Sequence, residues 1–281
     1  MPARSPDRVA LAVRAESVSS RDNRALKQFR AALRGSGLTD EGLTAVEGPR
    51  MVAEALASGL EIIAVLCSAS GEPHLAAMEK QLPTGVRLLR VPDRLFESVS
   101  DTQAPQGIAA LLRPRMADFD AFTRPSSGHP LVVVLVGVQD PGNAGTVIRT
   151  AEAFGASGAM LTAGSAHPWS PKAIRASAGS VLRLPVVHGI APAVALVQLR
   201  MAGFATYAAT LTGTSLPSAA DLTAPVALLI GNEGTGLPPE VERSADATLR
   251  IPLAGAVHSL NAATAAAVLL YEAARQRGFT S

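Results

Sequence analysis

Residues 226–238 read VALLIGNEGTGLP. An unbroken apolar run, Val226–Ile230, meets Gly231, Asn232, Glu233 and Gly234. Short apolar runs bounded by glycine read as strands covered on both faces, and such strands belong to parallel sheets flanked by helices. A carboxylate at the mouth of such a strand is costly if it is buried unpaired, whereas glycines let a backbone approach a neighbour or a ligand closely. The stretch therefore predicts an α/β fold with a ligand-holding loop around Glu233.

The surrounding sequence repeats the pattern. Strands are expected at 131–138 (LVVVLVGV), 159–162, 184–187 and 205–209, with a short extended piece at 248–251. Helices are expected at 144–154, 171–178 and 191–201, and a long Ala-rich helix at 259–276. Strands alternating with helices imply a parallel sheet with helices on both faces.

The N-terminal part alternates on a smaller scale. Leu26, Phe29 and Leu33 fall at helical spacing within 24–34, while Lys27, Arg30 and Arg34 share another face. Strands are expected at 44–47, 61–67, 86–91 and 107–112, and helices at 49–58, 74–82 and 92–98. Residues 21–112 thus form a small α/β domain. Proline, serine and glycine cluster in 113–130, RPRMADFDAFTRPSSGHP, which reads as the linker. The C-terminal domain is 131–281.

Bulk composition narrows the classes. With 48% hydrophobic and 17% charged residues, the 281-residue chain has ample core. The net charge of +2 hides an asymmetry, since residues 1–34 carry eight Lys/Arg against three acids. A basic arm of this kind suits phosphate, and residues 1–20 read as a flexible basic tail. The single cysteine, Cys67, rules out an intramolecular disulfide, and the five histidines are scattered, so no metal site is expected. No apolar run approaches a membrane span, and the N-terminus lacks the apolar core of a secretory signal. The expected location is cytoplasmic. Neither a P-loop nor a G-x-G-x-x-G spacing occurs.

In open α/β sheets ligands sit beyond the carboxyl ends of strands, and three such ends stand out. Gln139-Asp140-Pro141-Gly142-Asn143 feeds the helix bearing Arg149. Asp140 and Asn143 either cap that helix or form part of a site, and Arg149 either snorkels at an edge or is paired at a site. Glu233 either caps a following turn or binds a cation or hydroxyl donor. Ser259 reads as a helix cap, whereas Asn261 is a poor helix-interior residue unless its amide has a partner. Lys172 and Arg175 read equally as a solvated basic face or as phosphate contacts.

Taken together and in order, these segments resemble the SpoU/TrmH family of RNA ribose 2′-O-methyltransferases, within the SPOUT superfamily. The first family motif resembles DPGNAGTVIRTAEAFGA, the second LLIGNEGTGL and the third RIPLAGAVHSLNAATAAAVLLYE. PKAIRASAG is also similar, and TAVEGPRMVAEALASG with LFESVSDTQAPQGIAAL resembles the family's substrate-binding domain. Departures are His258 before Ser-Leu-Asn and Ala262-Ala263 after it, where valine and serine are common. The resemblance implies a deep trefoil knot in the C-terminal domain and a homodimer through the first-motif helix and the last helix. It implies S-adenosylmethionine as cofactor, held by Thr210, Leu211, Gly231, Ile251, Leu253 and Leu260. It implies Asn143, Arg149, Glu233, Ser259 and Asn261 as catalytic residues. It implies an RNA partner, most readily large-subunit rRNA, met by Lys27, Arg30, Arg34, Lys172 and Arg175. A tRNA enzyme or an inactive RNA-binding paralogue are the alternatives.

Overall fold

The computed structural model describes residues 14–123 and 128–278, in two compact units, Met1–Pro114 and Arg115–Ser281. Residues 1–13 of the expected tail lie outside the described residues.

The first unit runs β1 (Arg14–Ser17), α1 (Arg24–Arg34), β2 (Thr44–Glu47), α2 (Pro49–Ala57), β3 (Glu61–Ser68), α3 (Glu72–Met78), β4 (Arg87–Val91), α4 (Asp93–Val99) and β5 (Ile108–Arg113). Its sheet has the order β1-β4-β3-β5-β2, with β1, β4 and β3 parallel and β5 antiparallel to both β3 and β2. Asn23 caps α1 by accepting from the Ala25 N–H, and Leu26, Phe29 and Leu33 are buried against Leu66, Leu89, Phe96 and Leu111. Two expectations are corrected. The tail ends by residue 14, because 14–17 pair in register with β4 and extend the sheet; four residues are too few to show a strand period. The helix expected at 74–82 starts at Glu72, with Pro73 in its first turn, and gives way to a 3-10 turn, Glu79–Gln81.

The second unit runs α5 (Asp120–Thr123), β6 (Leu131–Leu135), α6 (Pro141–Ala153), β7 (Gly158–Thr162), α7 (Pro171–Ala176), β8 (Val186–Ile190), α8 (Pro192–Met201), β9 (Ala205–Ala209), β10 (Val226–Ile230), α9 (Pro239–Ser244), β11 (Ala247–Leu249) and α10 (Ala262–Gln276). The six strands are all parallel, in the order β11-β9-β10-β6-β7-β8. Every residue of β6, β7 and β10 is buried, as expected for a sheet covered on both faces.

The expected linker is corrected in part. Phe122 is fully buried beside Val132, Val134 and Leu229, and Phe119 meets the rings of Phe122 and Phe204 edge-on at 5.9 and 6.4 Å. Gly158 makes room for it, since a Cβ there would stand 2.3 Å from the Phe122 ring. Two aromatics anchor this segment, although its composition reads as a breaker. Helix α6 also starts three residues before the expected 144, because Asp140 caps it and Pro141 occupies the first turn.

Candidate active site

Because β11, β9 and β10 are neighbours, the loops leaving their carboxyl ends lie side by side. They enclose a cavity of about 440 Å³. Thr210 and Leu211 line it after β9, Gly231 and Glu233 after β10, and Ile251, Leu253, Ser259 and Leu260 after β11. Ala262 and Ala265 of α10 close one side. All six residues assigned to a cofactor are thus brought to one cavity.

Backbone contacts shape these loops. The Asn232 N–H donates to the Gly236 carbonyl and the Gly236 N–H to the Asn232 carbonyl, both at 3.0 Å. A Cβ on Gly231 would stand 2.3 Å from the Gly236 carbonyl carbon, so only glycine allows this turn. The Asn232 side chain donates to the Gly137 carbonyl at 2.8 Å and accepts from the N–H groups of Gly234 and Thr235. Sequence reasoning missed Asn232, although an Asn two residues before a glycine carries the signature of a side-chain-capped turn. The loop after β9 is fastened to β11, with the Thr210 N–H donating to the Leu249 carbonyl at 2.9 Å and the Arg250 N–H to the Ser215 carbonyl at 2.9 Å.

A chain of three side chains lies at the rim. Asn261 Nδ2 donates to Asn143 Oδ1 at 3.0 Å, and Asn143 Nδ2 donates to Glu233 Oε1 at 2.8 Å. The Gln139 and Asp140 N–H groups approach the same carboxylate at 3.4 Å. Burial opposes ionisation of Glu233, but these donors, Asn143 first, outweigh it and hold its carboxyl below the usual range. Glu233 is exposed rather than buried, so its position rests on these partners. Asn261 also caps α10, accepting from the Ala263 and Thr264 N–H groups. The helix expected from 259 therefore starts at 262, and Ser259 stays in the loop, facing the cavity.

Arg149 stands apart. It is exposed on α6, does not line the cavity, and has no hydrogen-bond or ion-pair partner among the described residues. Lys172 is paired with Asp140, Nζ to Oδ2 at 2.7 Å, and this pair together with the cap holds the Asp140 carboxyl low. Arg175 is exposed on α7. In the first unit, Arg34 donates twice to the Ser100 carbonyl, at 2.8 and 3.1 Å, and Arg30 to the Ser98 carbonyl at 3.4 Å, while Lys27 pairs with Asp22. Arg30 and Arg34 thus bind the C-terminal end of α4. No group of three or more metal-ligating side chains and no helix long and apolar enough to cross a membrane occurs among the described residues.

Residues 130–271 match the SpoU rRNA Methylase family, and residues 25–110 match the MRM3-like substrate binding domain. The chain is 33% identical over 272 residues to the 23S rRNA (uridine(2479)-2′-O)-methyltransferase of Streptomyces viridochromogenes, covering 94% of this chain and 93% of that one. It is 30% identical over 256 residues to the 23S rRNA (guanosine(2553)-2′-O)-methyltransferase RlmP of Bacillus subtilis, covering 91% and 98%. An uncharacterized tRNA/rRNA methyltransferase of Synechocystis is 37% identical over 62% of this chain, which spans 46% of that relative's length. Among solved structures, the AdoMet-bound rRNA methyltransferase from Sinorhizobium meliloti superimposes with a TM-score of 0.82 at 31% identity, covering 95% of this chain and 99% of that one.

Proposed function

Because this chain belongs to the SpoU rRNA methylase family, we propose that it transfers a methyl group from S-adenosylmethionine to a ribose 2′-hydroxyl of RNA, with large-subunit rRNA as substrate. The observation that carries this reading is the cavity beyond β11, β9 and β10 with the Asn261–Asn143–Glu233 chain at its rim. Relatives named for 23S rRNA favour rRNA over tRNA.

The residues present fit the cofactor. Thr210 lines the cavity, and its buried hydroxyl oxygen has no hydrogen-bond partner, so a donor or acceptor is wanted there. The close turn at Gly231 and the backbone of the β11 loop form a cradle that needs no charged side chain. S-adenosylmethionine supplies a methyl group already activated by its sulfonium sulfur. The chain's task is then positioning, which can lower a barrier by about 7–11 kcal/mol. Glu233, fixed by Asn143, accepts a ribose hydroxyl, and Ser259 orients the same sugar from the opposite loop. Asn261 braces Asn143. Arg149 holds the substrate phosphate and stabilises the developing alkoxide.

The exposed position of Arg149 goes with a homodimer. Tyr271 and Val268 are exposed on α10, which packs along α6, and Tyr271 meets Phe154 edge-on at 5.8 Å. An apolar seam of this kind between two copies would put Arg149 at the interface, beside the site. The family resemblance implies a trefoil knot in this unit, where residues 210–224 are fastened to the chain that follows them. They bond to Thr248, Leu249 and Arg250 at one end and to Gln276 and Arg277 at the other. The N-terminal unit recognises the RNA with Lys27, Arg30 and Arg34. Lys172 and Arg175 of α7, in the second unit, add phosphate contacts, and the reaction takes place where ribosomes assemble, in the cytoplasm.

Methyl transfer from labelled S-adenosylmethionine to total bacterial RNA tests the function, followed by mapping of alkali-resistant 2′-O-methylated positions. Transfer to one rRNA nucleotide is expected. Tight cofactor binding with no transfer to rRNA, tRNA or assembling ribosomal particles would overturn the reading.

A further inference from the structure

The α7 segment is fastened to α6 at three points, and one of them reaches the rim of the cavity. At the far end the guanidinium of Arg183, just past α7, donates to both carboxylate oxygens of Glu152 on α6, at 2.8 and 2.9 Å. In the middle the two backbones nearly touch, since a Cβ on Gly145 would stand 2.3 Å from the Ala173 carbonyl oxygen and 3.0 Å from the Ser177 nitrogen. At the near end Lys172 Nζ donates to Asp140 Oδ2 at 2.7 Å. A Cβ on Gly142 would stand 2.7 Å from Asp140 Oδ1 and 3.5 Å from Lys172 Cε, so this pair lies over the bare backbone of the first turn of α6.

Asp140 faces two ways. Its other carboxylate oxygen, Oδ1, caps α6 by accepting from the Asn143 N–H at 3.0 Å, and its own N–H approaches Glu233 Oε1 at 3.4 Å. Asn143 Nδ2 donates to that same Glu233 oxygen at 2.8 Å. An unbroken path thus runs from the Lys172 ammonium through Asp140 and Asn143 to the carboxylate at the rim. The pair itself is exposed, and exposed pairs contribute little to stability. Its consequence is geometric, because it holds the Asp140 carboxylate in the one orientation that serves cap and ammonium together. A lysine ammonium has three N–H donors, so two remain for a substrate phosphate.

We infer that Lys172 is a positioning residue for methyl transfer: by holding Asp140 it sets the first turn of α6, and with it the Asn143–Glu233 contact. It acts through Asp140 rather than on the reacting atoms. The inference rests on the methyltransferase reading above and extends it, because a phosphate contact and the catalytic rim then share one side chain. Burial pushes the Glu233 carboxyl up, and hydrogen-bond donors, Asn143 first, pull it below its usual range, so its titration reports where those donors stand.

The test uses full-length wild type, Lys172→Met, Asp140→Asn, the double variant and Lys172→Arg. The Glu233 carboxyl is titrated by carbon-13 NMR without RNA or cofactor, and single-turnover transfer is measured on saturating unmodified 23S rRNA transcript. Asparagine still caps a helix, so Asp140→Asn breaks the pair and keeps the cap. The two single substitutions remove charges of opposite sign, and through space they would shift Glu233 in opposite directions. Loss of positioning instead raises Glu233 in both and slows transfer in both by about two- to fivefold, the rate equivalent of an exposed pair. The double variant should be no slower than either single one, and Lys172→Arg should restore titration and rate. Opposite shifts, an unmoved Glu233, additive losses, or a Lys172→Met defect confined to RNA affinity and its salt dependence would each overturn the inference. Failure of the wild type to methylate any RNA would remove the reading beneath it, while the Glu233 titrations would still decide whether Lys172 holds the rim.

Discussion

The side-chain amide of Asn143 donates to the Glu233 carboxylate at 2.8 Å, joining residues 90 positions apart. The bond ties the first turn of α6 to the loop leaving β10 and holds Glu233 ionised at the cavity rim. Asn143→Ala leaves Glu233 with two long backbone contacts and Asn261 with no side-chain acceptor. A hydrogen bond to a charged group contributes about 1.5–3 kcal/mol, so transfer should slow by roughly tenfold to a hundredfold. The Glu233 carboxyl should also rise toward its ordinary range, as read by carbon-13 NMR titration. Wild-type transfer with an unmoved titration would exclude the contact from the machinery.

Asn261 carries two duties that one substitution separates. Its carbonyl oxygen caps α10, and its amide nitrogen donates to Asn143. Asn261→Ala loses both and should cost about 1 kcal/mol of stability, the usual worth of a cap. Asn261→Asp keeps the cap but places a carboxylate against the Asn143 oxygen. It should therefore melt like wild type while methyl transfer falls with the alanine variant. Recovery of both properties by aspartate would show that capping alone matters.

What could be read in advance depended on whether the cause was local. The run at Val226–Ile230 carries its own signature, and it became the fully buried strand it predicted. The helix spacing of Leu26, Phe29 and Leu33 did likewise. Partnerships between distant residues carried no such signal. Arg30 and Arg34 look like a free basic face until α4, more than sixty positions later, supplies the carbonyls of Ser98 and Ser100. Phe122 sits in a proline- and serine-rich segment, and only the facing Gly158 makes a place for its ring. Ser259 reads as the cap of α10 because serine suits that position in isolation, yet the cap is Asn261.

Two neighbouring glycines of the β10 loop should respond differently to the same methyl group. A Cβ on Gly231 would lie 2.3 Å from the Gly236 carbonyl carbon and 2.4 Å from the Leu237 nitrogen, backbone atoms that cannot swing aside. Gly231→Ala must open the turn and break the paired Asn232–Gly236 hydrogen bonds. It should weaken S-adenosylmethionine binding at least tenfold by calorimetry and cost about 1–3 kcal/mol of stability, as overpacking does. On Gly234 the nearest atom would be Asn232 Oδ1 at 3.5 Å, an ordinary contact, so Gly234→Ala should bind nearly as wild type. Equal binding by the two variants would show that the turn does not form the cofactor cradle.

The rings of His167 and His188 lie with centroids 4.4 Å apart and planes tilted by 47°, on the segment following β7 and within β8. Burial, and then the charge of His188, lower His167 from 6.5 to about 4, and burial lowers His188 as well. His167 Nδ1 accepts from the Trp169 N–H at 3.2 Å, a bond that protonation there would remove. Between the two values the unfolded chain binds a proton that the folded chain refuses, so stability must rise with pH in that window. It is unaffected above about pH 7 and falls as pH drops through 6.5 toward 4. Each unit corresponds to about 1.36 kcal/mol, which gives a loss of up to about 2 kcal/mol at pH 5 from His167 alone. The carboxyls held low, Asp140, Asp246 and Glu233 among them, lose their contribution only below the usual carboxylate range. The interval from pH 5 to 6.5 therefore isolates the histidines. Urea unfolding at pH 7.5, 6.0 and 5.0 should show this decline in wild type and a shallower one in His167→Gln. Equal slopes in the two proteins would mean that the buried pair does not set the acid sensitivity of the fold.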